Sequence, residues 1–124
     1  MNDIFILETS PKLKNAKLLE ADSLREVIQA LKAHSRVAWC ERQNTGAAKV
    51  EGRFIKFGWR RCSDILGQLK DGRLLAVECK RLKGGKLSDD QILFLELVRQ
   101  HGGVSFVATS LHDVFNNLGD INDK

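Results

Sequence analysis

Apolar positions recur along the chain at two spacings, and the change from one to the other marks its elements. Leu24, Val27, Ile28 and Leu31 follow the 3, 4, 7 spacing of one helical face and predict an amphipathic helix over residues 16–34. Upstream, Pro11 is expected to break an early helix, which leaves residues 1–15 as a loosely ordered arm. Val37 and Trp39 mark a strand over 36–43, closed by a turn at Asn44-Thr45-Gly46. Residues 63–69 and 73–80 read as two strands around Lys70-Asp71-Gly72, a short loop with glycine where a positive φ is expected. The second of these is apolar on both faces from Leu74 to Val77, as a central strand is. Ser88 and Gln91 form an S-x-x-Q capping box at the head of a helix over 88–101, which Gly102-Gly103 stops. A short strand follows at 104–108, and Ser110 caps a last helix that runs to about Leu118. The order α-β-β-β-α-β-α predicts an α/β fold, a mixed central sheet flanked by helices, in one domain spanning 1–124.

Composition narrows the class. With 43% hydrophobic and 29% charged residues, the 124-residue chain has globular usage, and no apolar run approaches the ~18 residues of a membrane span. Cys40, Cys62 and Cys79 are odd in number and form no C-x-x-C pair, which points to a reducing, cytoplasmic setting. The net charge of +4 is unevenly spread. Residues 49–86 hold eleven basic and four acidic residues, whereas 87–124 hold two basic and six acidic. A basic middle third suggests a polyanion-binding face, nucleic acid among the candidates, beside the plainer reading of a solvated charged surface. Residues 49–61, basic and aromatic, are expected to form a strand–loop excursion.

Two of those four acids share the hairpin. A three-residue loop at 70–72 pairs position 69 with 73, so Asp64 falls across from Glu78, and Lys80 joins them on the same face by period-two alternation. A two- or four-residue loop would set Asp64 across from Cys79 instead. Two adjacent carboxylates repel unless a cation lies between them. Hard oxygen donors in a basic surround suit Mg²⁺ or Mn²⁺, with water and a substrate phosphate completing the shell. An isolated E-x-K is more often a strand-end ion pair. An apolar strand ending in Glu78-Cys79-Lys80, with an aspartate at hairpin distance and a basic loop after it, is much rarer.

Ser63-Asp64 … Glu78-Cys79-Lys80 resembles the PD-(D/E)xK nuclease signature, and the wider pattern resembles the virus-type replication–repair nuclease (VRR-NUC) family. The stretches that carry the likeness are Arg42-Gln-Asn-Thr-Gly46, Arg61-Cys-Ser-Asp-Ile-Leu-Gly67, Gly72-Arg-Leu-Leu-Ala-Val-Glu-Cys-Lys80, Gly85-Lys-Leu-Ser-Asp-Asp-Gln91 and Gly102-Gly-Val-Ser-Phe-Val-Ala108. They cover about residues 18–118. Serine stands at position 63 where the signature has proline, a residue that restricts φ but supplies no ligand. The resemblance implies a restriction-endonuclease-like αβββαβ core. It also implies a metal held by Asp64, Glu78 and the Cys79 backbone carbonyl, and a Lys80 that orients or deprotonates the attacking water.

The resemblance further implies a carboxylate from the first helix. Glu20 lies on the stripe of Leu24 and Val27, whereas Glu26 points to solvent, so Glu20 is the expected metal ligand. Gln91 has two readings of equal weight, a catalytic polar residue or merely half of the capping box. Arg42, Lys49, Arg53, Lys56, Arg60, Arg61, Arg81, Lys83 and Lys86 are the candidate DNA-binding residues. Phe54, Phe57 and Trp59 are expected in core or dimer packing rather than base stacking. His34, His101 and His112 have no ligand spacing, which argues against zinc. The expected activity is a Mg²⁺- or Mn²⁺-dependent, structure-selective DNA endonuclease. One small domain offers one site, so symmetric cutting of a four-way (Holliday) junction calls for a homodimer. The alternatives are a non-catalytic DNA-binding module of the same fold, and a protein–protein adaptor that leaves the basic third unexplained.

Overall fold

A computed structural model describes residues 11–43, 46–57, 62–81 and 85–119. The elements run α1 (Pro11–Ala33), β1 (Val37–Arg42), β2 (Gly46–Val50), β3 (Arg53–Phe57), β4 (Ile65–Leu69), β5 (Leu74–Cys79), α2 (Asp89–Gln100), β6 (Val104–Ala108) and α3 (Leu111–Leu118). Four strands make one mixed sheet in the order β1-β4-β5-β6. The pairs β1/β4 and β4/β5 are antiparallel, and β5/β6 is parallel across the α2 crossover. Helices flank this sheet on both sides.

Two expectations need correction. The helix at the N-terminus starts at Pro11, so residues 11–15 are helical rather than part of an arm. Proline is tolerated in a helix's first turn because that N–H has no intrahelical acceptor to lose. Residues 1–10 lie outside the described residues. The excursion after β1 is a β-hairpin, β2 paired with β3 in a separate two-stranded sheet. Its turn, Glu51-Gly52, has φ of 51° and 79°, the two positive values of a tight primed turn.

The sheet separates two cores. On one side Val27 and Leu31 of α1 and Val114 and Leu118 of α3 pack against Val37, Ile65, Leu69, Leu75, Val77, Cys79 and Phe106. Long-range bonds knit α1 to α3. Glu26 accepts the Leu111 N–H at the head of α3 at 2.7 Å. Buried His34 bonds through Nε2 to the Gly119 carbonyl oxygen at 2.8 Å, and its Nδ1 accepts the Arg36 N–H at 3.0 Å. The acceptor role of Nδ1 fixes the proton on Nε2. On the other side Phe94, Leu95 and Val98 of α2 cover Ala76, with Leu66, Leu87 and Val107 packed around them. The capping box of α2 is formed, with Ser88 and Gln91 each accepting the other's backbone N–H.

The β4–β5 register carries the site. Ile65 pairs with Val77 and Gln68 with Leu74, and the Leu69 N–H donates to the Arg73 carbonyl across the three-residue loop. Gly72 has the positive φ expected, 98°. Gly67 is fixed for another reason: a Cβ there would sit 2.4 Å from the Trp39 carbonyl oxygen. Only a glycine lets β4 lie this close to β1, and that pairing sets where β4 begins.

Candidate active site

Continuing the register one step beyond Ile65 and Val77 brings Asp64 opposite Glu78, as the three-residue loop requires. The pair does not simply stand side by side. The Asp64 N–H donates to Glu78 Oε1 at 2.9 Å, and Asp64 Oδ2 accepts the Cys79 N–H at 2.9 Å. Each carboxylate thereby closes the other strand's end. The backbone around them is anchored: the Gln43 N–H donates to the Asp64 carbonyl at 2.8 Å, and the Lys80 N–H to the Ala108 carbonyl at 3.0 Å. Ser63, at the signature's proline position, is buried and donates its hydroxyl to the Ile65 carbonyl at 2.7 Å. It braces the turn into β4 by a hydrogen bond where proline would do so by its ring.

Glu78 is 1% exposed, an extreme value for a carboxylate. Burial, then its hydrogen bond to Asp64 and the Asp64 charge, push its carboxyl up to about 8, and Lys80 offsets this only in part. Burial beside Asp64 thus favours the protonated form of the Glu78 carboxyl. Cys79 points into the α1 side of the core, and its thiol is raised by burial first and then by the charges of Asp64, Glu78 and Glu20.

A hollow of about 230 Å³ opens at the end of β5, lined by Glu20, Ala21, Leu24, Arg42, Asp64 and Cys79. Glu20, expected on the core-facing stripe of the first helix, is in it. Glu26 is not; rather than facing solvent alone, its carboxylate caps α3 through the Leu111 N–H. Arg42 enters from the last residue of β1, paired with Ile65. Gln91 is absent from the lining, and its Oε1 is taken up by the Ser88 N–H, as the capping reading requires.

The remaining basic residues are scattered. Lys49 lies on β2 and Lys56 on β3; Arg53, at the start of β3, and Lys86 are exposed, and Arg81 is half-buried directly after Lys80. Arg60, Arg61, Lys83 and Trp59 lie outside the described residues, as do the side chains of Phe54 and Phe57. The structure brings Glu20, Arg42, Asp64 and Cys79 to one hollow and ties Glu78 to Asp64, whereas neither Glu78 nor Lys80 lines that hollow. Arg42's place beside the carboxylates had no signal in the strand pattern; it follows from the β1–β4 register.

Among the described residues, no three side chains of His, Cys, Asp and Glu stand close enough to hold a metal ion. The donors nonetheless fit a hard divalent cation in kind. Asp64 and Glu78 are oxygen donors only, and burial raises the Glu78 carboxyl, so its anion there calls for a compensating charge. No helix among the described residues is long and apolar enough to cross a membrane. The chain matches no protein-family model, no curated protein and no solved structure.

Proposed function

We propose that this chain is a Mg²⁺- or Mn²⁺-dependent DNA endonuclease with a restriction-endonuclease-like core, similar to the stand-alone VRR-NUC nucleases. The observation that carries the reading is the buried Glu78 cross-bonded to Asp64 at the sheet's end, with Lys80 directly after. An ion pair at a strand end would sit in water and leave both carboxylates exposed. Burial of one beside another disfavours their ionised forms, and a protein keeps such a pair where a cation or a reacting group needs it. The element order without the β2–β3 hairpin, α-β-β-β-α-β-α, supports the same reading.

In this reading Asp64, Glu78 and the Cys79 carbonyl hold the cation, and Glu20 holds it directly or through a water. A bound cation of this kind lowers the pKa of water and stabilises charge on phosphorus. Lys80 orients the attacking water and offsets charge on the scissile phosphate. Arg42, in the same hollow, bonds the flanking phosphate. The hydrolysis leaves a 5′-phosphate and a 3′-hydroxyl. Branched DNA is the proposed substrate and the homodimer the acting form, in the cytoplasm.

The test is incubation of the purified protein with labelled four-way junction, flap, single-stranded and duplex DNA in Mn²⁺, Mg²⁺ or EDTA. Metal-dependent cutting, strongest on the branched substrates, is expected. Binding without cutting in either metal would favour the non-catalytic DNA-binding module instead.

The two first-helix carboxylates give a sharper check. Glu20→Gln is expected to weaken Mn²⁺ affinity about tenfold, the usual scale for an outer ligand. Glu26→Gln is expected to leave it unchanged and to lower thermal stability, because Glu26 caps α3. Calorimetric titration of both proteins decides it; equal Mn²⁺ affinities would remove Glu20 from the site.

A further inference from the structure

Trp39 is 48% exposed, the only exposed aromatic side chain among the described residues. It stands on β1, an edge strand of the four-stranded sheet, and on the face where α2 packs over β5 and β6. Its cross-strand partner is Gln68, which shares that face with Leu66 by alternation. The ring is also held in place. Its Nε1–H donates to Gln68 Oε1 at 3.0 Å, and Gln68 Nε2 donates to the Gly72 carbonyl at 3.2 Å. Two bonds in series thus tie an exposed indole to the 70–72 loop. They satisfy its single polar atom, so what the ring offers to solvent is apolar π-surface. The charges at this end of the sheet are mostly positive. Lys70 and Arg73 are exposed, and the carbonyl of Arg36, just before β1, accepts the Lys70 N–H at 2.8 Å. Asp71, the acid among them, is bonded by Arg73 at 2.8 Å, which together with the Arg36 charge lowers its carboxyl. Glu41, two positions beyond Trp39, pairs with Lys32 at 3.7 Å.

We infer that Trp39 is a stacking platform for an unpaired base of single-stranded DNA. Three features favour that occupant. First, every base has a π-face that an aromatic ring can take up whatever the sequence, whereas a duplex shows only base edges in its grooves, so a ring standing on a strand reaches a base that is out of the stack. Second, Arg36, Lys70 and Arg73 surround the platform with positive charge, which a phosphate backbone requires and an apolar partner does not. Third, the bonds through Gln68 to Gly72 fix the ring before anything binds, so stacking on it loses little side-chain freedom. The platform also lies in line with the carboxylates. Gln68, Leu66 and Asp64 alternate onto one face of β4, which sets Trp39 about 13 Å along the strand from Asp64 at ~3.3 Å per residue. The inference rests on the nuclease reading for its substrate, DNA, and adds to it a preference for substrates that carry an unpaired stretch.

The test is binding in EDTA, followed by fluorescence anisotropy, of two labelled oligomers of equal length and charge, each about 12 units long: one of thymidines and one abasic throughout. The wild type is expected to bind the thymidine oligomer about tenfold more tightly, the scale of one base stacked on one aromatic ring. Trp39→Ala is expected to bind both oligomers as the wild type binds the abasic one, with the same dependence on salt, because the indole carries no charge. Trp39→Phe keeps an aromatic face and loses the bond to Gln68, and it is expected to keep a preference of at least about threefold, which separates stacking from any effect on the fold. Equal wild-type affinities for the two oligomers would overturn the inference. So would a Trp39→Ala protein that keeps the preference or weakens on both oligomers alike, or a Trp39→Phe protein with no preference. Failure of the nuclease reading is seen separately: a protein that prefers bases through Trp39 and never cuts DNA sinks that reading alone, and one that cuts in Mn²⁺ without this preference sinks only this one.

Discussion

Asp64→Asn, Glu78→Gln and Lys80→Ala are each expected to lower metal-dependent DNA cleavage by at least about 10³-fold while the protein stays folded and still binds DNA in EDTA. The amide replacements are chosen for the bonds the two carboxylates make. In Asp64→Asn the amide oxygen still accepts the Cys79 N–H, and in Glu78→Gln it still accepts the Asp64 N–H, so each strand end stays closed. What each change removes is an anionic oxygen donor. Lys80 is tied to the fold through its backbone, whose N–H is held by the Ala108 carbonyl. Its truncation therefore takes away a positive charge next to Glu78 and leaves that bond in place. Single-turnover cleavage of a labelled junction, with far-ultraviolet circular dichroism on the same samples, makes the comparison. Cleavage by Glu78→Gln within about tenfold of the wild type would refute the assignment, since loss of a metal-holding anion costs far more than that.

How far the sequence discloses this site depends on whether its determinants are local. The 70–72 turn is local and Gly72 marks it, but the stretch also admits loops of two or four residues, and it is the three-residue register formed in the structure that sets Asp64 opposite Glu78. The α2 cap is equally local, since Ser88 and Gln91 lie within one turn. The stripe of α1 is legible from its period, and Glu20 with it, because a helix fixes which residues share a face. The hairpin at β2–β3 was legible only in part. Its turn uses Glu51 at a positive φ, where asparagine, aspartate or glycine would have announced it.

Long-range partners were not legible. Glu26 reads as a solvent-facing residue until α3 arrives 85 positions later with an uncapped Leu111 N–H. Arg42 reads as one basic residue among many until β1 is laid against β4. The sequence Ile92-Leu93-Phe94-Leu95 is apolar on every side of its helix, and only the position of the sheet decides that Phe94 and Leu95 are covered while Ile92 and Leu93 are not. Pro11 misleads for the opposite reason. Its rule is positional, a breaker inside a helix and a good first residue, and the sequence does not say which applies.

Glu78→Gln is also expected to make the metal-free protein more stable at alkaline pH, by about 3 kcal/mol at pH 8. In the unfolded chain the Glu78 carboxyl has its ordinary value of 4.5, whereas burial beside Asp64 raises it to about 8 in the folded one. The folded state therefore binds the extra proton between those values. Stability from this group is complete below about pH 4.5 and is lost as pH rises through about 8. Each pH unit in that window is worth up to ~1.4 kcal/mol, and relaxation around the site reduces the total below the full product. Lys80 and Asp64, the charged neighbours of Glu78, act in opposite directions and do not change the sign. Glutamine keeps the hydrogen-bonding shape without the charge, so its melting temperature in EDTA should exceed that of the wild type by about 10 °C at pH 8 and match it at pH 5. Mn²⁺ should then close the gap from the other side, raising the wild-type melting temperature at pH 8 and leaving Glu78→Gln nearly unmoved, because a bound cation takes the place of the proton only where a carboxylate can ionise. Parallel wild-type and variant melting curves across pH 5–8 in EDTA would show that the buried carboxyl carries no such strain.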